Sequence, residues 1–508
     1  VAQVDQRIGL SEDELVGIIG EYDGLMIRSG TQVTATVIAA ASRLKIIGRA
    51  GVGVDNVDVP AATQRGVLVV NSPEGNTIAA AEHALAMMLS LSRHVPQANA
   101  GMRAGKWDRK KYVGNELYKK TLGVVGLGKI GSHVAKVAQA MGMDVIAYDP
   151  FIAADRAKQM QVKLIELDEL FRTADYVTLH IPRTKDTENL VNADLLRTMK
   201  PTARIVNCAR GGVVDEAAIS EAINQGVIAG AGLDVYASEP LAEDSPLRAV
   251  ERGLVLTPHL GASTEEAQEN VAIDVAEQIR DVLLGLPARS AVNIPGLSAE
   301  IMERLKPHLQ LSETVGLLVS QLAGGHVKEM ELRLQGEFAS HPSQPLVIAA
   351  LKGLLSAALG DSINFVNASL EAKARGIQVL EVKDESSRDF AGGSLQITTR
   401  GDQGDRCVTG AVFADGELRI TSIDEFPVNV SPSRHMLFTR HRDMPGIIGH
   451  LGSMMGEHNV NIASMQVGRK IVRGDAVMVL SIDDPIPADL LQKITAIDGI
   501  QEAHPVTL

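Results

Sequence analysis

The stretch Thr121-Leu-Gly-Val-Val-Gly-Leu-Gly-Lys-Ile-Gly131 decides the fold of the central part of this chain. A short apolar run, Leu122 to Val125, leads into Gly126, Gly128 and Gly131 at G-x-G-x-x-G spacing, and a helical pattern follows. This order of strand, glycine turn and helix start presents unpaired backbone N–H groups and the positive end of a helix dipole. It predicts a pyrophosphate site at the head of a dinucleotide-binding fold.

The next strand supplies the residue that selects the dinucleotide. The apolar run Val145-Ile-Ala-Tyr148 ends at Asp149, which follows Gly126 by 23 residues. An acid near this offset binds the adenosine ribose hydroxyls and repels a 2′-phosphate, so the pattern favours NAD over NADP. The alternative interpretation of Asp149 is a solvated carboxylate at a strand end.

Composition limits the class of protein. A chain of 508 residues, of which 45% are hydrophobic and 22% charged, is typical of a globular protein with about three domains. The net charge of −13 argues against general nucleic-acid binding. Two cysteines provide no disulfide framework, which predicts a reducing compartment. No apolar run approaches the ~18 residues of a membrane span, and the best candidate is Ala84 to Leu91.

The chain begins at Val1 rather than Met, on a run (Val1 to Val4) that resembles a strand. We therefore expect that the natural N-terminus, with a first strand, is missing from this sequence. We expect a cytoplasmic protein, or one of the plastid stroma if the missing segment was a transit peptide.

The hydrophobic pattern divides the chain into regions. Short strands alternate with helical segments over residues 1–76, and six strands alternate with helices from Gly123 to Thr257, which predicts a doubly wound parallel sheet. Residues 299–430 predict a separate α+β domain without a catalytic constellation, in which Asp415-Gly416 forms a hairpin turn. The order βαββαβ over residues 434–508 predicts a ferredoxin-like domain.

Polar residues follow the strands of the second region. Arg210 comes after the strand that ends at Asn207, Asp234 ends the next strand, Glu239 lies five residues later, and His259 follows the last strand. Ligands of open parallel sheets bind at the carboxyl ends of strands, so this cluster predicts a catalytic site. His259 suits the removal of a hydroxyl proton, and Glu239 would orient its ring. Arg210 offers a planar fork for a carboxylate and for a polarised oxygen.

Each of these residues also has a plain structural interpretation. His259 could belong to an ordinary loop, and Arg210 could pair only with Asp215. Glu239 could merely begin a turn before Pro240.

Basic residues elsewhere form a second set of candidates. Arg28 and Arg49 follow strands of the first region, and Gly51, Gly53, Gly75 and Asn76 supply nearby turn backbone. Turn backbone of this kind binds anions, so we predict a phosphate or carboxylate site, with surface solubility as the alternative. The basic run Arg109 to Lys111 either adds positive charge to that site or forms a solvated face.

Several motifs closely resemble those of the D-2-hydroxyacid dehydrogenases. They are Gly126-Leu-Gly-Lys-Ile-Gly131, Asn207-Cys-Ala-Arg-Gly-Gly-Val-Val-Asp-Glu216, Leu233-Asp-Val-Tyr-Ala-Ser-Glu-Pro240 and Thr257-Pro-His-Leu-Gly-Ala262. Within that family, the branch that acts on 3-phospho-D-glycerate is similar at Arg49-Ala-Gly-Val-Gly-Val-Asp-Asn56, Asn71-Ser-Pro-Glu-Gly-Asn76 and Trp107-Asp-Arg-Lys-Lys111. Residues Arg440 to Gly446 and Asn461-Ile462 resemble an ACT domain, a regulatory module for small ligands.

The resemblance implies an α/β architecture in four parts. A flavodoxin-like substrate domain (residues 1–76 and 270–298) holds an inserted Rossmann-type NAD domain (77–269), and an α+β intervening domain (299–430) and a ferredoxin-like ACT domain (434–508) follow.

The resemblance also implies the roles of single residues. The implied catalytic trio is Arg210, Glu239 and His259. The implied NAD site contains Gly126, Gly128, Lys129, Ile130, Gly131, Asp149, Pro182, Cys208, Ala209, Asp234, His259 and Gly261. The implied substrate site contains Arg28, Ser29, Arg49, Gly51, Asn76 and Arg109, and no metal is expected.

The implied reaction is the NAD-dependent oxidation of 3-phospho-D-glycerate to 3-phosphohydroxypyruvate, the first step of phosphorylated L-serine biosynthesis. A glyoxylate or hydroxypyruvate reductase with the same core is one alternative. Another is a dinucleotide-sensing corepressor, which uses this core to bind protein partners.

Regulation and assembly are also implied by the resemblance. Related ACT domains hold serine through polar groups at the positions of His441, Asp443 and Asn461, and some of them have Asn where this chain has Asp443. Inhibition by L-serine is therefore left open. We expect a homodimer or homotetramer, and no nucleic-acid or membrane partner.

Overall fold

The structure is a computed structural model that describes residues 3–295, 299–385 and 393–508. The chain divides into two compact units, one of residues 49–54 and 71–277, the other of residues 1–48, 55–70 and 278–508. The first unit contains the whole region that is predicted to bind NAD, residues 77–269. The four-domain division stays a prediction. Val1 lies outside the described residues, and residues 3 and 4 are not in a strand.

The N-terminal residues form a small α/β layer. Its sheet has the order β1-β2-β3, and residues after 278 pack against strand residues Ile46, Leu68 and Val70. The elements are α1 (Glu12–Ile18), β1 (Gly24–Ile27), α2 (Ala35–Ala40), β2 (Ile46–Arg49), α3 (Val59–Arg65) and β3 (Leu68–Asn71). Helix α1 begins at a capping box, in which Ser11 and Glu14 satisfy each other's backbone N–H groups.

A seven-stranded parallel sheet forms the centre of the other unit. Its strands are β4 (Thr121–Val125), β5 (Asp144–Tyr148), β6 (Lys163–Leu164), β7 (Tyr176–Leu179), β8 (Arg204–Asn207), β9 (Gly230–Leu233) and β10 (Leu254–Leu256). The helices are α4 (Thr77–Arg93), α5 (Val95–Arg103), α6 (Lys129–Ala140), α7 (Ala154–Gln159), α8 (Leu167–Thr173), α9 (Ala193–Arg197), α10 (Glu216–Asn224) and the part of α11 (Glu265–Leu283) that precedes residue 278. Six strands were predicted, and the seventh, β6, has only two residues, too few for a recognisable hydrophobic pattern.

The strand order β10-β9-β8-β7-β4-β5-β6 confirms the doubly wound prediction. Neighbouring residues of β4 face opposite sides of the sheet, so Val124 joins one hydrophobic core and Val125 the other. The chain runs outward from β4 to β6 and then returns to place β7 beside β4. This reversal creates the crevice at which doubly wound sheets bind their ligands.

The intervening region packs two long helices on a mixed sheet. Its elements are α12 (Ala299–Ala323), β11 (Val327–Gln335), α13 (Ser343–Leu359), α14 (Ala368–Ala374), β12 (Gln378–Asp384), β13 (Ser394–Gly401), β14 (Arg406–Val412), β15 (Leu418–Ile423) and β16 (Phe426–Val430). Gly316 and Gly353 allow α12 and α13 to touch, because a Cβ atom on either would lie about 2 Å from a carbonyl oxygen of the facing helix. The predicted turn at Asp415-Gly416 joins β14 to β15, with Gly416 at φ +83°.

The C-terminal residues adopt the predicted βαββαβ order. The elements are β17 (His435–Arg442), α15 (Ile447–Glu457), β18 (Ile462–Arg469), β19 (Asp475–Ile482), α16 (Ala488–Thr495) and β20 (Ile500–Thr507), and the sheet order is β18-β19-β17-β20. This is the ferredoxin-like arrangement.

One stretch of the described residues, Ser343–Ser362, is long and apolar enough to cross a membrane by length and composition alone. Ala84 to Leu91, the longest apolar candidate in the sequence and too short for a span, form part of α4. Half of the apolar window in Ser343–Ser362 is buried inside the protein. Core helices share this composition.

Candidate active site

The glycine loop between β4 and α6 has the geometry that its sequence predicts. Gly126 has a φ of +91°, and a Cβ atom there would lie 2.6 Å from the carbonyl oxygen of His180. A Cβ atom on Gly131 would lie 2.0 Å from the carbonyl oxygen of Gly126, so the helix can approach the strand only without one. Gly128 differs, because a Cβ atom there would meet nothing within 4 Å. The space over Gly128 fits the approach of a ligand phosphate.

The start of α6 and the end of β5 complete a site that fits NAD. No side chain caps the start of α6, which leaves its first N–H groups available to a pyrophosphate. Asp149 lies beside the glycine loop, where its Oδ2 accepts a hydrogen bond from the N–H of Leu127 at 2.8 Å. Its Oδ1 accepts from the N–H of Phe151 at 2.9 Å. Oδ1 also accepts from the N–H of Ile152 at 3.2 Å, so the second lone pair that remains for a ribose hydroxyl is on Oδ2.

The other residues of the predicted NAD site have varied surroundings. Lys129 forms an ion pair with Glu74 at the start of α6, while Ile130 packs on the core beneath the helix. Pro182 is exposed after β7. The N–H of Ala209 donates to Oδ1 of Asn207 at 3.1 Å, and burial strongly raises the pKa of the Cys208 thiol.

His259 and Glu239 are in direct contact. Nδ1 of His259 lies 2.7 Å from Oε2 of Glu239, and the N–H of Tyr236 donates to the other carboxylate oxygen at 3.1 Å. An ionised carboxylate only accepts, so Nδ1 carries the proton and Nε2 presents its lone pair. His259 has a φ of +55°, a left-handed conformation that costs a residue with a side chain about 1–2 kcal/mol. The ring is half exposed and open to a ligand.

Arg210 lies in a loop that packs on the loop of Glu239. A Cβ atom on the neighbouring Gly211 would lie 1.7 Å from the carbonyl oxygen of Tyr236, so the two loops are in backbone contact. Nη1 of Arg210 donates to the carbonyl oxygen of Ala209 at 2.7 Å. Asp215, the alternative partner of Arg210, caps α10 by accepting from two backbone N–H groups. The catalytic roles of the trio stay predictions.

Two predicted substrate residues, Arg49 and Gly51, touch each other. A Cβ atom on Gly51, whose φ is +146°, would lie 1.5 Å from Nη1 of Arg49. The guanidinium group therefore crosses the turn where only glycine leaves room for it. Its Nη1 also donates to the carbonyl oxygen of Ala50 at 3.3 Å.

The start of α4 presents further polar atoms. Oδ1 of Asn76 and the hydroxyl of Thr77 are buried and have no hydrogen-bond partner among the described residues. The Thr77 hydroxyl can donate to an anionic ligand at this helix N-terminus, whereas Oδ1 of Asn76 only accepts and suits a ligand hydroxyl. Thr77 was not among the predicted site residues, although its position as the first residue of a long helix could have indicated it. Arg109 is exposed in a short 3₁₀ turn, and Arg28 and Ser29 are exposed residues of the other unit.

Asp234 connects the site to α4. Its buried carboxylate accepts hydrogen bonds from Thr257 and from the N–H groups of Leu260 and Gly261, and His83 approaches it at 3.1 Å. The sequence analysis placed Asp234 and Gly261 in the NAD site but missed His83 and Thr257. The helical pattern around His83 indicated only a packed face.

The predicted effector residues do not meet within one ACT region. Asp443 pairs with Arg469 at 2.8 Å, near the buried ring of His441. Asn461 bonds to Asp483 at 2.7 Å at the other end of the sheet. His441 pairs with Ala476 on β19, and the residue after Asn461 pairs with Ile482. Six residues of strand separate these positions, about 20 Å at 3.3 Å per residue.

Together these features define a class of protein. A glycine loop and an acid suited to NAD lie in the same compact unit as a histidine poised as a base. Such a unit is an NAD-dependent dehydrogenase of hydroxy acids or alcohols.

Comparisons with known proteins narrow this class. The NAD binding domain of D-isomer specific 2-hydroxyacid dehydrogenases matches residues 85–261. The D-3-phosphoglycerate dehydrogenase intervening domain matches residues 304–424, and the ACT domain matches residues 435–499. A solved structure, the TT0316 protein from Thermus thermophilus, is 36% identical, with a TM-score of 0.53 over 57% of this chain and 92% of that chain.

Similarity to relatives extends over the whole chain. A D-3-phosphoglycerate dehydrogenase of Synechocystis sp. is 63% identical, and the match covers 100% of this chain and 91% of the relative. One from Archaeoglobus fulgidus is 44% identical over 100% of this chain and 96% of the relative. The chain belongs to the D-3-phosphoglycerate dehydrogenases of the D-2-hydroxyacid dehydrogenase family. The full-length matches and the intervening domain favour this family over the reductase and corepressor alternatives.

Proposed function

We propose that this protein oxidises 3-phospho-D-glycerate to 3-phosphohydroxypyruvate with NAD, as the first step of phosphorylated L-serine biosynthesis. The observation that carries the proposal is the contact of His259 with Glu239, in the same compact unit as a glycine loop that fits NAD. The names of the full-length relatives support the substrate.

The chemistry follows from the protonation of His259. Because Glu239 holds the proton on Nδ1, Nε2 is free to take the proton of the C2 hydroxyl. NAD, when bound, accepts the hydride that leaves C2. The ring then becomes an imidazolium, which the carboxylate of Glu239 stabilises. Arg210 holds the substrate carboxylate and polarises the C2 oxygen as it becomes a carbonyl.

We assign the substrate anions to the basic and turn residues. The Arg49 guanidinium over Gly51 supports an anion site in the unit that holds His259, and so does the Thr77 hydroxyl at the start of α4, which has no hydrogen-bond partner among the described residues. Arg28, Ser29 and Arg109 keep their predicted assignment to substrate binding.

The test measures NADH formation with 3-phospho-D-glycerate and with unphosphorylated D-glycerate. We expect turnover only with the phosphorylated acid, and we expect His259→Ala or Arg210→Ala to lower kcat by orders of magnitude while NADH still binds. The control is Arg197→Ala, an exposed arginine of α9 that pairs with Asp194. Near-normal turnover of His259→Ala would remove this residue from the mechanism, and preference for D-glycerate would favour a reductase.

We also propose that L-serine regulates the enzyme through the ACT domain. Because His441 and Asp443 lie at the opposite end of the sheet from Asn461, one site can contain all three only if two ACT domains associate. Initial rates titrated with L-serine test this, beside the same titration of Asp443→Asn. An unchanged rate at saturating serine would contradict it.

We propose a homodimer or homotetramer in the cytoplasm or plastid stroma. Exposed apolar side chains on residues 95–118 support association; they are Val95, Met102, Trp107, Val113 and Tyr118. Light scattering of Trp107→Glu tests this surface: a smaller assembly is expected, and an unchanged mass would contradict it. The free cysteines Cys208 and Cys407 fit a reducing compartment.

A further inference from the structure

The turn that carries His259 is fastened to one buried carboxylate. The N–H of His259 donates to the carbonyl oxygen of Asp234 at 2.8 Å. The next two N–H groups, of Leu260 and Gly261, donate to Oδ1 and Oδ2 of Asp234 at 2.8 and 2.9 Å. The Asp234 side chain has no exposed surface. The left-handed conformation of His259 is therefore maintained by three consecutive hydrogen bonds to one residue.

Asp234 is in turn connected to helix α4 through His83. Thr257 has a single hydroxyl proton, which it donates to Oδ1 of Asp234 at 2.6 Å. Nε2 of His83 lies 3.1 Å from that Oδ1 and 3.1 Å from the Thr257 hydroxyl oxygen. Both atoms then act as acceptors, so Nε2 of His83 is the donor to them. His83 is thus the link between a 17-residue helix and the turn of the general base.

The charge of Asp234 depends on these donors. Burial by itself would raise the pKa of Asp234, but the hydrogen bonds from His83, Thr257, Leu260 and Gly261 together hold it below its ordinary value. Cys208 and Tyr236 also face this carboxylate, and burial, reinforced by its charge, raises the pKa of Tyr236 to about 12. Neither replaces His83 as a hydrogen-bond donor to this carboxylate.

A metal ion is a weaker interpretation of the same residues. Ligand atoms of His83, Cys208 and Asp234 all lie within 4.8 Å of one another. However, Asp234 already accepts from two backbone N–H groups and a hydroxyl, and the buried Cys208 resists the deprotonation that a metal requires. The geometry favours a hydrogen-bond network.

We propose that His83 is a positioning residue for the reaction: it fixes Asp234 and Thr257, and through them the turn that aims His259. The kinetic test of this inference rests on the proposed function, whereas its test by amide hydrogen exchange rests on the structure alone. Without the His83 donor, Asp234 should bind a proton more readily, and the three N–H groups of the turn should open more often.

Three variants of His83 distinguish the loss of its N–H donor from a change in the size of its side chain. His83→Gln places an amide N–H at a reach similar to that of Nε2. His83→Asn is polar but one bond shorter, and His83→Leu has no donor. We expect kcat to fall at least tenfold in the Leu and Asn variants and less than threefold in His83→Gln, with little change in KM for 3-phospho-D-glycerate. We also expect the acidic limb of the kcat/KM profile to move to higher pH in His83→Leu.

Amide hydrogen exchange of residues 257–262 in the full chain without ligands supplies a readout independent of turnover. Exchange should be faster in His83→Leu and His83→Asn than in the unaltered chain, and close to normal in His83→Gln. Equal exchange and an unmoved pH profile in His83→Leu would overturn the proposal. Loss of activity by chelator in the unaltered chain would favour a metal instead. If the unaltered chain did not oxidise phosphoglycerate, the proposed function would fail while the exchange result still decided the role of His83.

Discussion

Replacing Glu239 with Gln changes a single atom of the group that holds the ring of His259. Both carboxylate oxygens of Glu239 act as acceptors, one for Nδ1 of His259 at 2.7 Å and the other for the N–H of Tyr236 at 3.1 Å. A Gln side chain has one accepting oxygen and one donating nitrogen. In neither orientation can the amide accept from both partners.

The two orientations have different costs. If the Gln oxygen stays on Tyr236, its NH₂ faces Nδ1, the ring adopts the other tautomer, and Nε2 loses the lone pair that takes the proton. If the amide flips, NH₂ faces the N–H of Tyr236, and one donor is left unsatisfied at a cost of about 1–3 kcal/mol. Since about 1.4 kcal/mol corresponds to a tenfold change in rate, we expect kcat/KM to fall roughly 10- to 100-fold.

The assay is steady-state NADH formation, together with NADH binding by fluorescence. We expect Glu239→Gln to lose turnover while the dissociation constant of NADH stays within about twofold. Glu216→Gln is the matched control, because Glu216 lies near this loop and its Oε1 accepts only the backbone N–H of Ala237, a role that a Gln oxygen can keep. Turnover of Glu239→Gln within threefold of the unaltered chain would refute the reasoning about the tautomer.

Three other predictions follow from the structure. Gly131→Ala should lower the free energy of unfolding by about 1–3 kcal/mol, because its Cβ would lie 2.0 Å from a carbonyl oxygen; denaturation measures this loss. Gly128→Ala should fold normally but bind NADH more weakly, which titration with NADH measures. Asp149→Ser should raise the kcat/KM ratio of NADP to NAD by about tenfold or more, since the charge that repels a 2′-phosphate is gone, and an unchanged ratio would contradict this. Burial lowers the pKa values of His308 and His341, so at acidic pH the folded chain binds fewer protons at these two rings than the unfolded chain does. The melting temperature, measured as a function of pH, should therefore fall as the pH drops below about 6.5. The fall should be smaller in His308→Leu, which has lost one of the two rings.

Much of the site could be predicted because its residues obey local rules. Gly126 and Gly131 each have a steric reason in the backbone beside them, Gly128 leaves space for a ligand phosphate, and the spacing of the motif records all three. The strand-end rule pointed to His259 and Glu239 without knowledge of their contact. Parallel strands place their carboxyl ends on one edge, so residues distant in sequence meet there.

Other features depend on contacts that a sequence does not record. Strand β6 has two residues and exists only because β5 offers it a free edge, to which Lys163 and Leu164 pair. The effector residues were chosen by resemblance alone, and the register of β17, β18 and β19 separates Asn461 from His441. Strand register follows from pairing across the whole sheet, which residue motifs at two strand ends do not report.

His83 and Thr257 were missed for a related reason: they bond to another side chain rather than to a predicted ligand. His83 lies on a helix that has apolar residues in every turn. The neighbouring sequence therefore does not distinguish His83 from a histidine that is simply packed in the core. Its donor matters only because Asp234 is buried 151 residues later and holds the turn of His259. A residue that contacts substrate is constrained by the chemistry of that substrate, and its type can be reasoned out. A residue that positions such a substrate-contacting residue is constrained by the fold instead. Its role can be deduced only when the fold is known.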